Sequence, residues 1–86
     1  KSSLNVSLAP NPVNSGGTME LLTDFPEEEL ETMHLSIHNL NGGLIQQMKS
    51  NRKNTSINLP YNLQIGVYIL KIETKNIHKS LKFIVK

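Results

Sequence analysis

The chain has no cysteine, no tryptophan, two tyrosines and two phenylalanines among its 86 residues. Without cysteine there is no disulfide scaffold, no thiolate metal site and no cysteine nucleophile, and the redox compartment stays open. So few aromatic rings make a poor stacking platform for nucleic acid. No apolar run approaches the ~20 residues of a membrane-spanning helix, so stable membrane insertion is not expected. A chain of this length buries roughly 60–65% of its unfolded surface. That leaves a thin core and little room for a deep catalytic cleft. No initiator methionine or signal peptide precedes Lys1, so the chain reads as a piece of a longer protein. The expectation is a linker stub at 1–3, one domain over 4–86, and a final IVK that is the natural end of the parent.

Charge is present but unevenly placed. The net charge is +2, yet residues 1–43 sum to −5 and residues 44–86 to +7. Two arrangements would produce this: two tips of opposite sign on one fold, or a basic C-terminal segment read by a partner.

The dominant pattern has period two. Leu4, Val6 and Leu8 alternate with polar residues, as do Met33, Leu35 and Ile37, then Thr55, Ile57 and Leu59, then Tyr68, Leu70 and Ile72. In the last stretch Ile77, Leu81, Phe83 and Val85 share a face, with His78, Ser80, Lys82 and Lys86 mostly opposite. Such alternation marks half-buried strands. Turn signals separate the runs, giving about seven strands near 4–8, 18–23, 31–39, 44–49, 54–59, 66–74 and 77–85. Seven short strands with regular turns predict an all-β, immunoglobulin-like antiparallel sandwich. Register supplies a test. If Lys75-Asn76 closes a hairpin, Thr74 faces Ile77, and Ile72, Leu70 and Tyr68 fall opposite Lys79, Leu81 and Phe83, so the apolar faces coincide.

A helical reading competes. Lys71, Lys75, Lys79, Lys82 and Lys86 recur at helical spacing and would suggest a basic amphipathic helix. The intervening VYILKIE and KFIVK are β-branched and aromatic, which favours strands. As strands they should scatter these lysines over both faces. At Pro26–Glu31 the alternatives are a short helix, capped by Asp24 or Thr23 with Glu27–Glu29 on its dipole, or an acidic loop.

Few groups invite chemistry. His34 and His38 are four apart, which on a helix would aim both at one metal. On a strand the interval is ~13 Å, so they read as solvent-facing. Glu27, Glu28, Glu29 and Glu31 read as solvated carboxylates; they lack the spacing of a calcium loop. Ser15-Gly16-Gly17 lacks the frame of a nucleophile elbow. Asn5-Val6-Ser7 and Asn54-Thr55-Ser56 match the glycosylation sequon, a tripeptide that arises often by chance. No catalytic residue, metal ligand or cofactor site is assigned.

Four motifs in order then carry a resemblance. LNVSLAPNPVNSGG holds Pro10, Asn11, Pro12 and Val13. LSIHNLNGGLI holds Ile37, Leu40, Asn41 and Gly42. INLPYNLQIGVYILKIE holds Leu59, Leu63, Gly66, Tyr68, Leu70 and Ile72. KSLKFIVK closes the chain with Lys79, Lys82, Phe83, Ile84 and Lys86. Together they resemble the C-terminal sorting domain of type IX (Por) secretion system cargo, type A, from Bacteroidetes, over nearly the whole chain. Asn39 and Gly43 stand where that family usually has Asp and Lys.

The resemblance implies an address rather than a catalyst. A covalently joined N-terminal cargo would be exported to the periplasm, passed through the outer-membrane translocon, and cut from this domain by a sortase-like peptidase. The cargo would end secreted or attached to the outer-membrane surface. Translocon recognition would involve Gly66, Tyr68, Lys79, Lys82, Phe83, Ile84, Val85 and Lys86, through a sheet edge or the basic terminal residues. Pro10, Asn11, Pro12, Asn41 and Gly42 would be structural turns, with the prolines ending the first strand and holding the chain extended. Nucleic acid is not an expected partner. A dimer through an edge strand is a further expectation. The competing function is an accessory module of a secreted enzyme that binds carbohydrate or mediates protein interaction.

Overall fold

The computed structural model describes residues 5–86. The expected linker at 1–3 and the start of the first strand at Leu4 lie outside these residues. Seven strands form: β1 (Val6–Ala9), β2 (Thr18–Thr23), β3 (His34–Asn39), β4 (Leu44–Lys49), β5 (Asn54–Asn58), β6 (Gly66–Glu73) and β7 (His78–Val85), with a single-turn helix α1 (Glu27–Leu30) between β2 and β3. They build two antiparallel sheets, β1-β2-β5 and β4-β3-β6-β7. Each sheet turns its apolar alternate residues inward.

The core lies between them. Met19 and Leu21 from β2 and Ile57 from β5 meet Leu35 and Ile37 from β3, Leu70 and Ile72 from β6, and Phe83 and Val85 from β7. Phe25, Leu30 and Met33 close one end of this layer, while Val13, Leu59 and Leu63 close the other. The connection that enters β6 supplies a tyrosine corner: the Tyr68 hydroxyl donates to the Gln64 carbonyl at 2.8 Å. That hydrogen bond back across the corner is a hallmark of immunoglobulin-like sandwiches.

Three local expectations change. The segment 31–33 is not strand, because Glu31 and Met33 donate backbone N–H groups to Glu27 and Leu30 and so close α1. Neither Asp24 nor Thr23 caps that helix. Pro26 occupies the cap without a side-chain bond, Asp24 instead accepts the Asn5 backbone N–H at 2.7 Å, and the buried Thr23 hydroxyl has no partner among the described residues. The segment 10–12 is bent rather than extended, with both X-Pro bonds cis.

The turn at Asn41-Gly42 is a three-residue loop, Leu40–Gly42, rather than a two-residue one. Gly42 donates to the Asn39 carbonyl and Asn39 to the Gly43 carbonyl, each at 3.0 Å. Gly42 adopts φ +89°, the left-handed position that ends a type I turn in such loops. The Asn39 side-chain oxygen accepts from the backbone of Asn41 and Gly43, which an amide does as well as a carboxylate. Just beyond, Ile45 bulges out of register, since Ile37 pairs with Gln46 but His38 pairs with Leu44.

Strand alternation sorts the connections into two ends. Segments 24–33, 50–53 and 74–77 lie at one end, and 10–17, 40–43 and 59–65 at the other, beside Lys86. The first end carries acids and bases together, whereas the three loops of the second carry no formal charge. The imbalance along the chain therefore does not become two tips of opposite sign.

Candidate functional site

The β6–β7 hairpin forms in the expected register. Tyr68 pairs with Phe83, Leu70 with Leu81 and Ile72 with Lys79. The Tyr68 and Phe83 rings stack with centroids 5.9 Å apart. A backbone bond from Thr74 N–H to the Ile77 carbonyl at 2.8 Å closes the turn.

Lys-Asn is weak turn chemistry, and the fold compensates from outside the hairpin. Glu29 of α1, only 7% exposed, reaches into the turn. One carboxylate oxygen accepts the Thr74 hydroxyl and the Asn76 backbone N–H, and the other accepts the Asn76 side-chain amide at 2.7 Å. Thr32 adds a hydroxyl that accepts the Lys75 N–H at 2.9 Å. The donors from Asn76 and Thr74 hold the Glu29 carboxyl below its ordinary value of 4.5, because hydrogen bonds to a carboxylate favour its charged form. Glu29 is thus not a solvated member of an acidic run. Its neighbours Glu27, Glu28 and Glu31 are exposed. One carboxylate among four is buried because α1 turns the Glu29 side toward β6 and β7, a choice of face that a run of glutamates cannot express.

The last strand divides its residues by parity. Phe83 and Val85 are fully buried. Lys82, Ile84 and Lys86 point outward, with Ile84 47% exposed. Lys79 lies half-buried on the inner side. The lysines are therefore not evenly scattered: Lys71, Lys82 and Lys86 share the exposed face of one sheet, and only Lys79 turns in. Gly66 starts β6 at φ +156°, and a Cβ there would meet no other atom. Its backbone angle, not crowding, is what calls for glycine. Among the residues expected to meet the translocon, Lys82, Ile84 and Lys86 present exposed side chains, whereas Tyr68, Phe83 and Val85 hold the hairpin to the core.

Since β7 is the outer strand of its sheet, its free edge needs cover. The bend at Pro10–Pro12 supplies it over the last residues. Val13 N–H donates to the Ile84 carbonyl at 2.8 Å, and Lys86 N–H donates to the Val13 carbonyl at 2.9 Å. The Asn11 side chain accepts the Ile84 N–H at 3.0 Å and donates to the Lys82 carbonyl at 3.4 Å. The PNPV segment is thus more than a turn: it is a strap that occupies the β7 edge from Lys82 to Lys86. Toward His78 and Ser80 none of the described residues continues the strap.

The other candidates separate from this hairpin. Asn41 and Gly42 sit in the β3–β4 loop. His34 and His38 point to the outer side of β3, where the two ring nitrogens of His38 lie 3.4 Å from the Gly42 carbonyl and 3.1 Å from the Ser36 hydroxyl. The Ser15 hydroxyl donates to the Leu63 carbonyl, a structural role. Two elements escaped the reading of residue types, the Glu29 clamp and the Asn11 strap. Each joins positions more than 40 residues apart, so neither leaves a local signal.

A family model described as a secretion system C-terminal sorting domain matches residues 7–86. No curated protein matches the chain. The match supports the sorting role and gives no support to the accessory-module alternative.

Proposed function

The chain belongs to the family of type IX secretion system C-terminal sorting domains, and we propose that its export machinery reads the closing hairpin through Lys82, Ile84 and Lys86. The domain is a C-terminal sorting signal, which implies export of its cargo across the outer membrane to a secreted or surface fate. In this reading the domain folds in the periplasm, the translocon docks on the hairpin, and a sortase-like peptidase cuts between cargo and domain. The domain itself is a ligand and a substrate, not an enzyme. In support, Glu29 clamps a turn and the Ser15 hydroxyl is spent on a backbone carbonyl.

The observation that carries the proposal is the parity of β7. Its inner residues secure the fold, which leaves a cationic and apolar outer row free to be read. Deleting residues 82–86 would be a poor test, because it removes Phe83 and Val85 from the core as well. The clean test is a passenger protein fused before residues 1–86, carrying Lys82→Glu and Lys86→Glu. Both side chains are exposed, so the melting temperature should hold while the passenger accumulates in the periplasm. Normal surface display of a folded double variant would refute the reading.

A further inference from the structure

Strand register places the cations of the four-stranded sheet on one face. Lys49 pairs with His34, His34 with Glu73 and Glu73 with His78, so these four form one row across β4, β3, β6 and β7. The next row holds Lys71, paired with Ser36 on one side and Ser80 on the other. The third runs from Leu44 through His38 and Ile69 to Lys82. Ile84 and Lys86 follow on the same outward parity, and all four lysines are exposed. Glu73 is the one carboxylate among these outward residues, and it lies 3.5 Å from the His78 ring. None of the four lysines forms an ion pair among the described residues. The outer face of β1-β2-β5 differs: its one formal charge is Glu20, which accepts the Ser56 hydroxyl at 2.7 Å. The cations are therefore confined to one side of the sandwich.

The lysines do not converge on a point. Lys71 and Lys82 are diagonal neighbours, about 7–8 Å apart in such a pair, and Lys86 lies about 13 Å along the strand from Lys82. One small anion cannot meet them all. Between Lys71, Lys82 and Lys86 lie Val67, Ile69 and Ile84, an apolar centre with a charged border, as protein interfaces have.

We propose that the whole outer face of β4-β3-β6-β7 is one docking face, and that its occupant is an acidic protein surface of the export machinery. It rests on the reading of Lys82, Ile84 and Lys86 as the contact, and widens that contact from one strand to four. Charge selects an anionic partner, since four unpaired cations face one carboxylate. Shape selects protein over lipid. Neighbouring strands rotate by roughly 20–25°, which turns a face of four strands through roughly 60–75°. A flat leaflet cannot follow that turn from Lys49 to Lys86, whereas a folded partner can. A second copy is disfavoured, because face-to-face association opposes lysine to lysine. Pairing the face with the exposed carboxylates of α1 in another copy would be head-to-tail and open-ended.

The test uses the passenger fusion with Lys49→Glu and Lys71→Glu, two lysines outside β7. Surface display should fall by about tenfold or more with the melting temperature unchanged, because like charge against an acidic partner is repulsive. The pair Lys49→Arg and Lys71→Arg should display normally. Lys49→Gln with Lys71→Gln should fall between the two, and serves in place of the glutamates if those disturb folding. Full display by the folded Glu or Gln pair overturns the proposal, and so does an Arg pair as defective as the Glu pair. So does flotation of the fusion with phosphatidylethanolamine–phosphatidylglycerol vesicles that the Glu pair abolishes, which assigns the face to lipid. So does a dimer in sedimentation that the Glu pair abolishes, which assigns it to a second copy. If Lys82→Glu with Lys86→Glu blocks export and these pairs do not, only this inference falls. If the β7 pair has no effect, both readings fall.

Discussion

At one end of the sandwich, segments 24–33, 50–53 and 74–77 carry five carboxylates and three cations; at the other, segments 10–17, 40–43 and 59–65 carry none. Both ends must hold three connections over the same core, and they do it differently. The charged end uses a buried carboxylate, Glu29, as a multiple acceptor that fixes the β6–β7 turn. The uncharged end uses backbone bonds between loops: Gly16 N–H to the Pro60 carbonyl at 3.0 Å and Leu59 N–H to the Gly17 carbonyl at 2.9 Å, with the tyrosine corner beside them. Order at the first end depends on protonation. At the second it rests on backbone bonds between loops, and the apolar side chains above them are displayed. Scaffolding and display are thereby separated along the length of one small domain.

The comparison can be broken most severely at the charged end. Phe25 is fully buried there, and Phe25→Ala should cost about 3–5 kcal/mol, as large-to-small core substitutions of phenylalanine do. Total stabilities of small domains are about 5–15 kcal/mol, so urea unfolding should find this variant close to or past its limit. A midpoint near that of the parent would mean that α1 and its flanks are not part of the scaffold.

The next effect follows pH. Glu29 is held below 4.5 in the folded state, so the folded protein takes up its proton less readily than the unfolded chain does. Its contribution to stability is complete above the unfolded value of about 4.5 and is lost as pH falls through the lower folded value. Melting temperature should therefore drop below pH 4.5 in the parent. In Glu29→Gln it should start lower at neutral pH and vary less across that window. Parallel melting curves for the two proteins would remove Glu29 from the account.

A smaller loss is expected at the uncharged end. Gly16 sits at φ +77° beneath the Tyr61 ring, and Gly16→Ala should cost about 1–2 kcal/mol for the left-handed backbone alone. The steric share can be isolated by a double-mutant cycle, because Tyr61→Ala removes the ring that the new methyl meets. Additive losses in that cycle would place Tyr61 away from Gly16 in solution.

The smallest change in stability belongs to the displayed residues. Leu40→Ser and Ile65→Ser should stay within about 0.5 kcal/mol each, as exposed substitutions usually do. Calorimetry that finds a larger loss would mean these side chains pack in solution and are not on display.

Much of this fold was legible in the residues. Strict alternation through VYILKIE and KSLKFIVK fixes which side chains face inward, and one assumed turn fixes the register of Tyr68 against Phe83, because a shift by one residue would expose both apolar faces. The tyrosine at position 68 was legible as a core ring with a hydroxyl for the backbone. Less was legible where the signal is not periodic. The four glutamates near α1 look alike in sequence, yet only Glu29 faces Thr74 and Asn76. The PNPV motif reads as a turn, but the work of Asn11 is done on Lys82 and Ile84, more than 70 residues away.

The amino-acid sequence by itself determined an all-β chain, its inward and outward faces, the pairing of its last hairpin and, through four ordered motifs, its kinship with secretion signals. These are consequences of local stereochemistry, in which a side chain's direction follows from its parity along a strand. Tertiary structure alone decided which glutamate would be buried and which strand edge the PNPV segment would cover. Those outcomes depend on the order of strands within two sheets, and residues brought together that way are neighbours only after the chain has folded.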